Sequence, residues 1–204
     1  MNLSQIYSEL LLKNGFNPTN VKTLWLDLEK AYSSKSRHYH NLTHLEEMIE
    51  LFEQYKNKLQ NPDEVLFSIF YHDSIYKATR KDNELKSAEY TLKVLATNEL
   101  LDKQLIFDMI CATQLHQHNA IEDINWLIDF DLKILAKDWE AYQIYCNQIR
   151  KEYRIYPDFL YNPGRKKALE HFLENEFIFQ TEEFRELFEE KARVNIKREI
   201  ISLT

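Results

Sequence analysis

The sequence predicts an all-α protein, and three observations carry that prediction. Only 2 Gly and 4 Pro occur in 204 residues, so turns that need positive φ are few and long unbroken helices are the economical use of the chain. Apolar residues recur at intervals of three and four along most of the length, the spacing that lines one face of a helix. No repeat, linker or low-complexity tract interrupts the pattern, and a composition 44% hydrophobic and 29% charged is that of an ordinary folded domain. The chain therefore reads as one domain, a compact array of roughly nine or ten helices of the usual three turns.

Leu3, Ile6, Tyr7, Leu10 and Leu11 mark a first helix, ended by Asn14-Gly15. Val21, Leu24, Trp25, Leu28 and Tyr32 mark a second, so residues 1–36 read as a helical hairpin. After Ser33-Ser34-Lys35-Ser36 comes Arg37-His38-Tyr39-His40-Asn41-Leu42-Thr43-His44, then a stripe of Leu45, Met48, Ile49, Leu51, Phe52 and Tyr55. Asn41 or Thr43 caps that helix, Thr43 forming a capping box with Glu46. Pro62-Asp63-Glu64 opens the next helix, which runs to His72-Asp73. Further helices are expected from Asp82 or Asn83 and over 103–116. The segment Ile124 to Leu132 admits helix or strand. Around 138–154, 164–176 and 181–201 the pattern is helical again, with Pro157 to Pro163 as a loop.

Composition also removes function classes. The two glycines, Gly15 and Gly164, are too far apart for a P-loop or a dinucleotide fingerprint. A net charge of −7 gives no general attraction to duplex nucleic acid or anionic membranes. Cys111 and Cys146 have no close-spaced partner, which suits reduced thiols and points to the cytoplasm. No export signal and no run of eighteen apolar residues is seen, so no membrane contact is expected. A homodimer is the default oligomeric expectation.

Histidines cluster where helix ends can meet: His38, His40 and His44 at one helix start, His72 beside Asp73 at a helix end, His116 and His118 after another. Imidazole and carboxylate are the donors that hold zinc, manganese, iron and similar ions, and such a site draws them from separate elements. His40 and His44, four apart, face one cavity from the cap and first turn of a helix. His72 and Asp73 diverge by about 100° on a helix, so both reach one ion only from a helix end. His38 and His171 read as solvent-facing or hydrogen-bonded side chains, and Arg150, Glu152 and Arg193 as ion-pairing residues of the C-terminal helices.

Tyr39-His40-Asn41-x-x-His44, then His72-Asp73, then Asp129-Phe130-Asp131-Leu132, resembles the ordered His…His-Asp…Asp signature of the HD-domain superfamily. His72-Asp73-Ser74-Ile75-Tyr76 followed by Asp82-Asn83-Glu84-Leu85-Lys86-Ser87-Ala88 is similar to its predicted metal-dependent HD phosphohydrolases. So are Ile149-Arg150-Lys151-Glu152-Tyr153, Gly164-Arg165 and Ala192-Arg193-x-Asn195, which extends the likeness over about 37–200. The resemblance implies an HD-type helical fold, with a metal-site core over 37–135 and helices of 136–204 packed on it.

It also implies a divalent ion (Mn, Ni, Co, Zn, Fe or Mg) held by His44, His72, Asp73 and Asp131. Asp131 is preferred over Asp129 because the Asp-x-Asp-Leu pattern places the ligand at the second Asp. His116 is a candidate ligand to a second ion, His118 a lesser one. The Tyr-His-Asn-x-x-His string also resembles the opening of cyclic-nucleotide phosphodiesterases, which makes His40 the proton donor. The His-Pro-Gly of those enzymes is missing, so a cyclic nucleotide is not the expected substrate.

The implied activity is hydrolysis of a small phosphate ester, a nucleotide being one candidate, with His40 and Asp73 in the reaction. Arg37, Lys77 and Arg165 are the expected phosphate partners. Glu84 and Ser87 share a face and either line the site or orient a ligand, beside the plainer reading of Asp82-Asn83-Glu84 as a cap and acidic first turn. Two alternatives stand beside this one: a non-catalytic metal- and nucleotide-binding regulatory module, and a di-iron oxygenase on the same scaffold.

Overall fold

The computed structural model describes residues 2–203. Among them are ten α-helices, two short 3-10 turns and no strand, as the periodicity predicts. Packing divides the chain into two units, Met1–Leu115 and His116–Thr204, and the span 37–135 draws on both.

In the first unit, α1 (Leu3–Lys13) and α2 (Pro18–Tyr32) start on asparagines: Asn2 accepts from the Gln5 N–H and Asn17 from that of Thr19. Between them Gly15 takes φ 75°, and a Cβ there would also meet Leu100 at 3.1 Å. The helix α3 (Leu42–Tyr55) is capped by Asn41, which accepts from the Thr43 N–H, so of the two candidate caps Asn41 is used and Thr43 is not. Asn41 wins because its amide also donates to the His38 carbonyl at 2.9 Å, which places it one step outside the helix.

α4 (Pro62–Tyr71) packs against α1, α3, α5 (Asn83–Val94) and α6 (Lys103–Ala112). Val65, Phe67, Ile69 and Phe70 are wholly buried, the mark of a helix apolar on all sides. Its last residue, Tyr71, meets Tyr7 hydroxyl to hydroxyl at 2.5 Å, and burial pushes both phenols well above their ordinary range. α6 stops four residues before the expected end: Thr113 turns its hydroxyl onto the Ile110 carbonyl, and Gln114 reaches the Lys81 carbonyl at 2.8 Å.

The second unit holds α7 (Glu122–Leu132), a 3-10 turn over Lys133–Ala136, α8 (Trp139–Glu152), α9 (Asp158–Glu174) and α10 (Glu182–Ser202). The segment open between helix and strand is α7, with Ile124 to Phe130 all buried. The expected loop Pro157 to Pro163 is instead the cap and opening of α9, with Pro163 inside the helix. Pro163 leaves the Phe159 carbonyl without its usual donor, but Phe159 is 75% exposed and water can satisfy that group. Asn195 of α10 donates to the Leu135 and Lys137 carbonyls at 2.9 and 2.8 Å, which fastens α10 to the 3-10 turn. Ion pairs join Arg150 to Asp158 and Arg193 to Glu189. Among the described residues no helix is long and apolar enough to cross a membrane.

Candidate metal centre

In the first unit the chemistry gathers at the end of α4. His72 is its C-cap, with φ −55° and ψ −37°, and its side chain is almost fully buried. Its Nδ1 lies 2.9 Å from the Ile69 carbonyl. A carbonyl only accepts, so Nδ1 carries the proton and Nε2 presents a lone pair. That Nε2 is 3.3 Å from Nε2 of His44, in the first turn of α3, and 3.3 Å from Asp73 Oδ2. Two nitrogens each about 2.0–2.1 Å from a tetrahedral ion stand roughly 3.3–3.4 Å apart, so the spacing suits ligands of one cation.

Arg37 builds the frame around these groups. Although expected to meet phosphate, it is buried and donates to three carbonyls: His40 at 3.1 Å, Asp73 at 2.7 Å and Ser74 at 3.2 Å. Carbonyls at a helix C-terminus lack intrahelical donors and favour a cation, so the guanidinium is held there as a clamp between the lead-in to α3 and the end of α4. Its plane lies 4.8 Å from the Tyr32 ring centre, and the Tyr32 hydroxyl accepts from the Asp73 N–H at 3.2 Å. His40, the expected proton donor, stacks on Tyr76 with ring centres 4.2 Å apart.

The Asp-Asn-Glu-x-x-Ser string shapes the next loop. Asn83 accepts from the Lys77 N–H at 3.0 Å and donates back to the Lys77 carbonyl at 3.1 Å. The Ser87 hydroxyl accepts from the Ile75 N–H and donates to the Ile75 carbonyl, at 3.1 and 3.2 Å. Asp82 is the N-cap but makes no capping bond with its side chain, and Glu84 provides the acidic first turn of α5. Lys77 is exposed beside the loop.

In the second unit the two candidate aspartates separate cleanly. Asp129 is fully buried and accepts from Gln180 N at 2.6 Å, Thr181 N at 2.8 Å and Thr181 Oγ1 at 2.6 Å. It holds the start of α10, and burial pushes its carboxyl up to about 7 against the pull of those donors. Asp131 is partly exposed, with Oδ2 3.2 Å from His116 Nε2. His116 takes φ 52°, in the left-handed region, fixed there by Gln180, whose amide donates to the His116 carbonyl at 3.0 Å. The loop before α7 repeats the device seen at Asn83: Asn125 accepts from Asn119 N at 2.8 Å and donates to Asn119 O at 2.9 Å.

Arg165 departs from its expected role as a phosphate partner. Its Nε and Nη2 donate to Glu199 at 2.7 and 3.1 Å, and Nη2 also donates to the Tyr145 hydroxyl. The guanidinium is a buried structural partner, drawn in because Glu199 on α10 is itself only 3% exposed.

Sequence reading missed Tyr32 and the clamping role of Arg37. Nothing local marks Tyr32 beyond its place on the buried stripe of α2. Comparison with known proteins returns no matching family model, curated protein or solved structure.

Proposed function

We propose that the chain is a metal-dependent phosphohydrolase, with His44, His72, Asp73 and Asp131 as ligands to a divalent ion and His40 as proton donor to the leaving oxygen. The observation that carries the reading is the 3.3 Å approach of His44 Nε2 to His72 Nε2, with the tautomer of His72 set by Ile69. His44, His72 and Asp131 are donors of the kind that hold such an ion. Asp131 enters as the fourth ligand from the order of the sequence signature, and the structural commitment of Asp129 to α10 supports that choice.

A bound divalent ion would lower the pKa of a water molecule and polarise a phosphoryl oxygen. The protein groups do the rest. Arg37 and Tyr32 fix the backbone of Asp73, Ile69 fixes His72, and stacking on Tyr76 orients His40, whose imidazole can carry a proton to a leaving alkoxide. Preset geometry of this kind is what ligand and acid need before substrate arrives. Mn, Ni, Co, Zn, Fe and Mg all suit a His and Asp set.

The test is elemental analysis of the purified chain with phosphatase assays across divalent ions, on wild type, Asp131→Ala and a His72→Ala, Asp73→Ala double variant. Bound metal and hydrolysis are expected in wild type and lost in both variants. A wild type without metal or hydrolysis refutes the reading. Metal retained with no turnover of any phosphate ester favours the regulatory module, and two irons with oxygen consumption favour the oxygenase.

A further inference from the structure

The second unit contains a hollow of about 410 Å³, lined by His118 from the loop after His116, by Asn175, Glu176 and Phe177 from the loop after α9, and by Gln180 and Arg185. Ligand cavities run from roughly 300 to 1,000 Å³ and are mostly apolar. This one lies at the small end of that range, and polar and apolar groups share its wall about equally.

Arg185 is held for use. Its Nε donates to the Phe179 carbonyl and its Nη2 to the Gln180 carbonyl, both at 2.8 Å, while Nη1 makes no hydrogen bond among the described residues. The guanidinium is thus fixed in position with one edge unoccupied, the state in which its fork meets an oxyanion at least entropic cost. The side chains of His118, Asn175 and Glu176 are likewise without hydrogen bonds among the described residues. His116, itself in the wall, takes φ 52°, a conformation that surrounding structure must maintain, as in many functional loops.

The lining sorts ligands by chemistry. Arg185 and His118 suit phosphoryl oxygens, whereas Glu176 accepts from hydroxyls and repels a second phosphate. Beside the imidazoles of His116 and His118, Phe177 is the one phenyl ring in the wall, and the Arg185 guanidinium already lies 4.3 Å from its centre. No pair of apolar faces is left to sandwich a nucleobase.

We propose that this cavity binds a small phosphomonoester with a polyhydroxylated body, a sugar or polyol phosphate rather than a nucleotide. Its phosphoryl group meets Arg185 and His118, and its hydroxyls meet Glu176 and Asn175. Naming that ligand as the substrate rests on the phosphohydrolase reading, but the binding itself needs no metal.

The experiment is calorimetric titration of the full chain, with chelator present, using a hexose 6-phosphate, glycerol 3-phosphate, AMP and inorganic phosphate. The hexose phosphate should bind most tightly, about tenfold or more over AMP, and Arg185→Gln should weaken every phosphorylated probe by a similar factor. Glu176→Gln should weaken the hexose phosphate several-fold and leave inorganic phosphate no weaker. Arg185 also holds backbone, so if that variant does not fold, Glu176→Gln and His118→Ala carry the test, their side chains making no internal bond. Preference for AMP, no saturable binding of any probe, or hexose phosphate binding indifferent to Glu176 and His118 overturns the proposal. Hexose phosphate binding with chelator in a chain that holds no metal and hydrolyses nothing would leave this site standing and remove the phosphohydrolase reading.

Discussion

Replacing Arg165 by Met separates a structural role from a substrate-binding one. The Arg165 side chain is 13% exposed and that of Glu199 4%, and the pair shares two hydrogen bonds, with Tyr142 adding a third to Glu199 at 2.5 Å. Without the guanidinium, Glu199 stays buried with Tyr142 as its one strong donor. Removing one partner of a buried pair costs about 3–5 kcal/mol, which lowers the melting temperature by on the order of ten degrees or more in a unit of this size. Combining Arg165→Met with Glu199→Leu removes both charges and should recover most of the loss.

The pair also responds to acid. Burial pushes the Glu199 carboxyl up, but Arg165 and Tyr142 outweigh it and hold the group below its ordinary 4.5. Its stabilisation is therefore present above pH 4.5 and lost as pH falls through the folded value. Thermal and urea unfolding of the full chain at neutral and acid pH, with hydrolysis measured well below melting, are the assays. An Arg165→Met chain that melts within a couple of degrees of wild type but shows a raised KM would refute the structural role, as would a double variant no more stable than the single one.

Two further outcomes are expected. Arg37→Lys replaces a three-carbonyl clamp with a single ammonium, and metal affinity in equilibrium dialysis should fall about 10–100-fold with helical content unchanged; an unaltered affinity would show that Arg37 does not position the ligands. For Asp129, whose carboxyl rises from 3.8 to about 7 on folding, the folded state keeps a proton between those values that the unfolded chain releases. Stability thus falls as pH rises through this window, by about 2 kcal/mol from pH 5.5 to 7. Asp129→Asn should flatten that dependence in urea titrations, and a variant with the wild-type slope would count against the assignment.

Local signals were enough for most helices and for the cluster around His72. Proline and acids at the start of α4, apolar spacing through α1 to α3, and the His-Asp pair at a helix end all act over a few residues, and local spacing is what a sequence displays. What stayed hidden depended on distant partners. Glu199 lies 34 positions from Arg165, and the N–H groups that engage Asp129 lie 51 and 52 positions away, so nothing beside either residue announces a structural role. The start of α9 was obscured for a different reason: Pro157, Pro163 and Gly164 all read as punctuation, while Phe159 and Leu160 are exposed and break the amphipathic stripe. Arg37 looked like a phosphate partner because a lone arginine in a polar segment gives no sign that three carbonyls await it.

With only two glycines available, this chain shapes loops by side-chain amides. Asn83 closes a ring on Lys77 and Asn125 closes one on Asn119, each through a donor and an acceptor six positions back. A ring closed at both atoms has a fixed circumference. One extra residue between 78 and 82, or between 120 and 124, displaces the backbone by roughly 3.3 Å and breaks both bonds at once. Surface loops usually absorb insertions at little cost, but these two segments cannot change length, and any family descended from this chain should vary them by substitution alone.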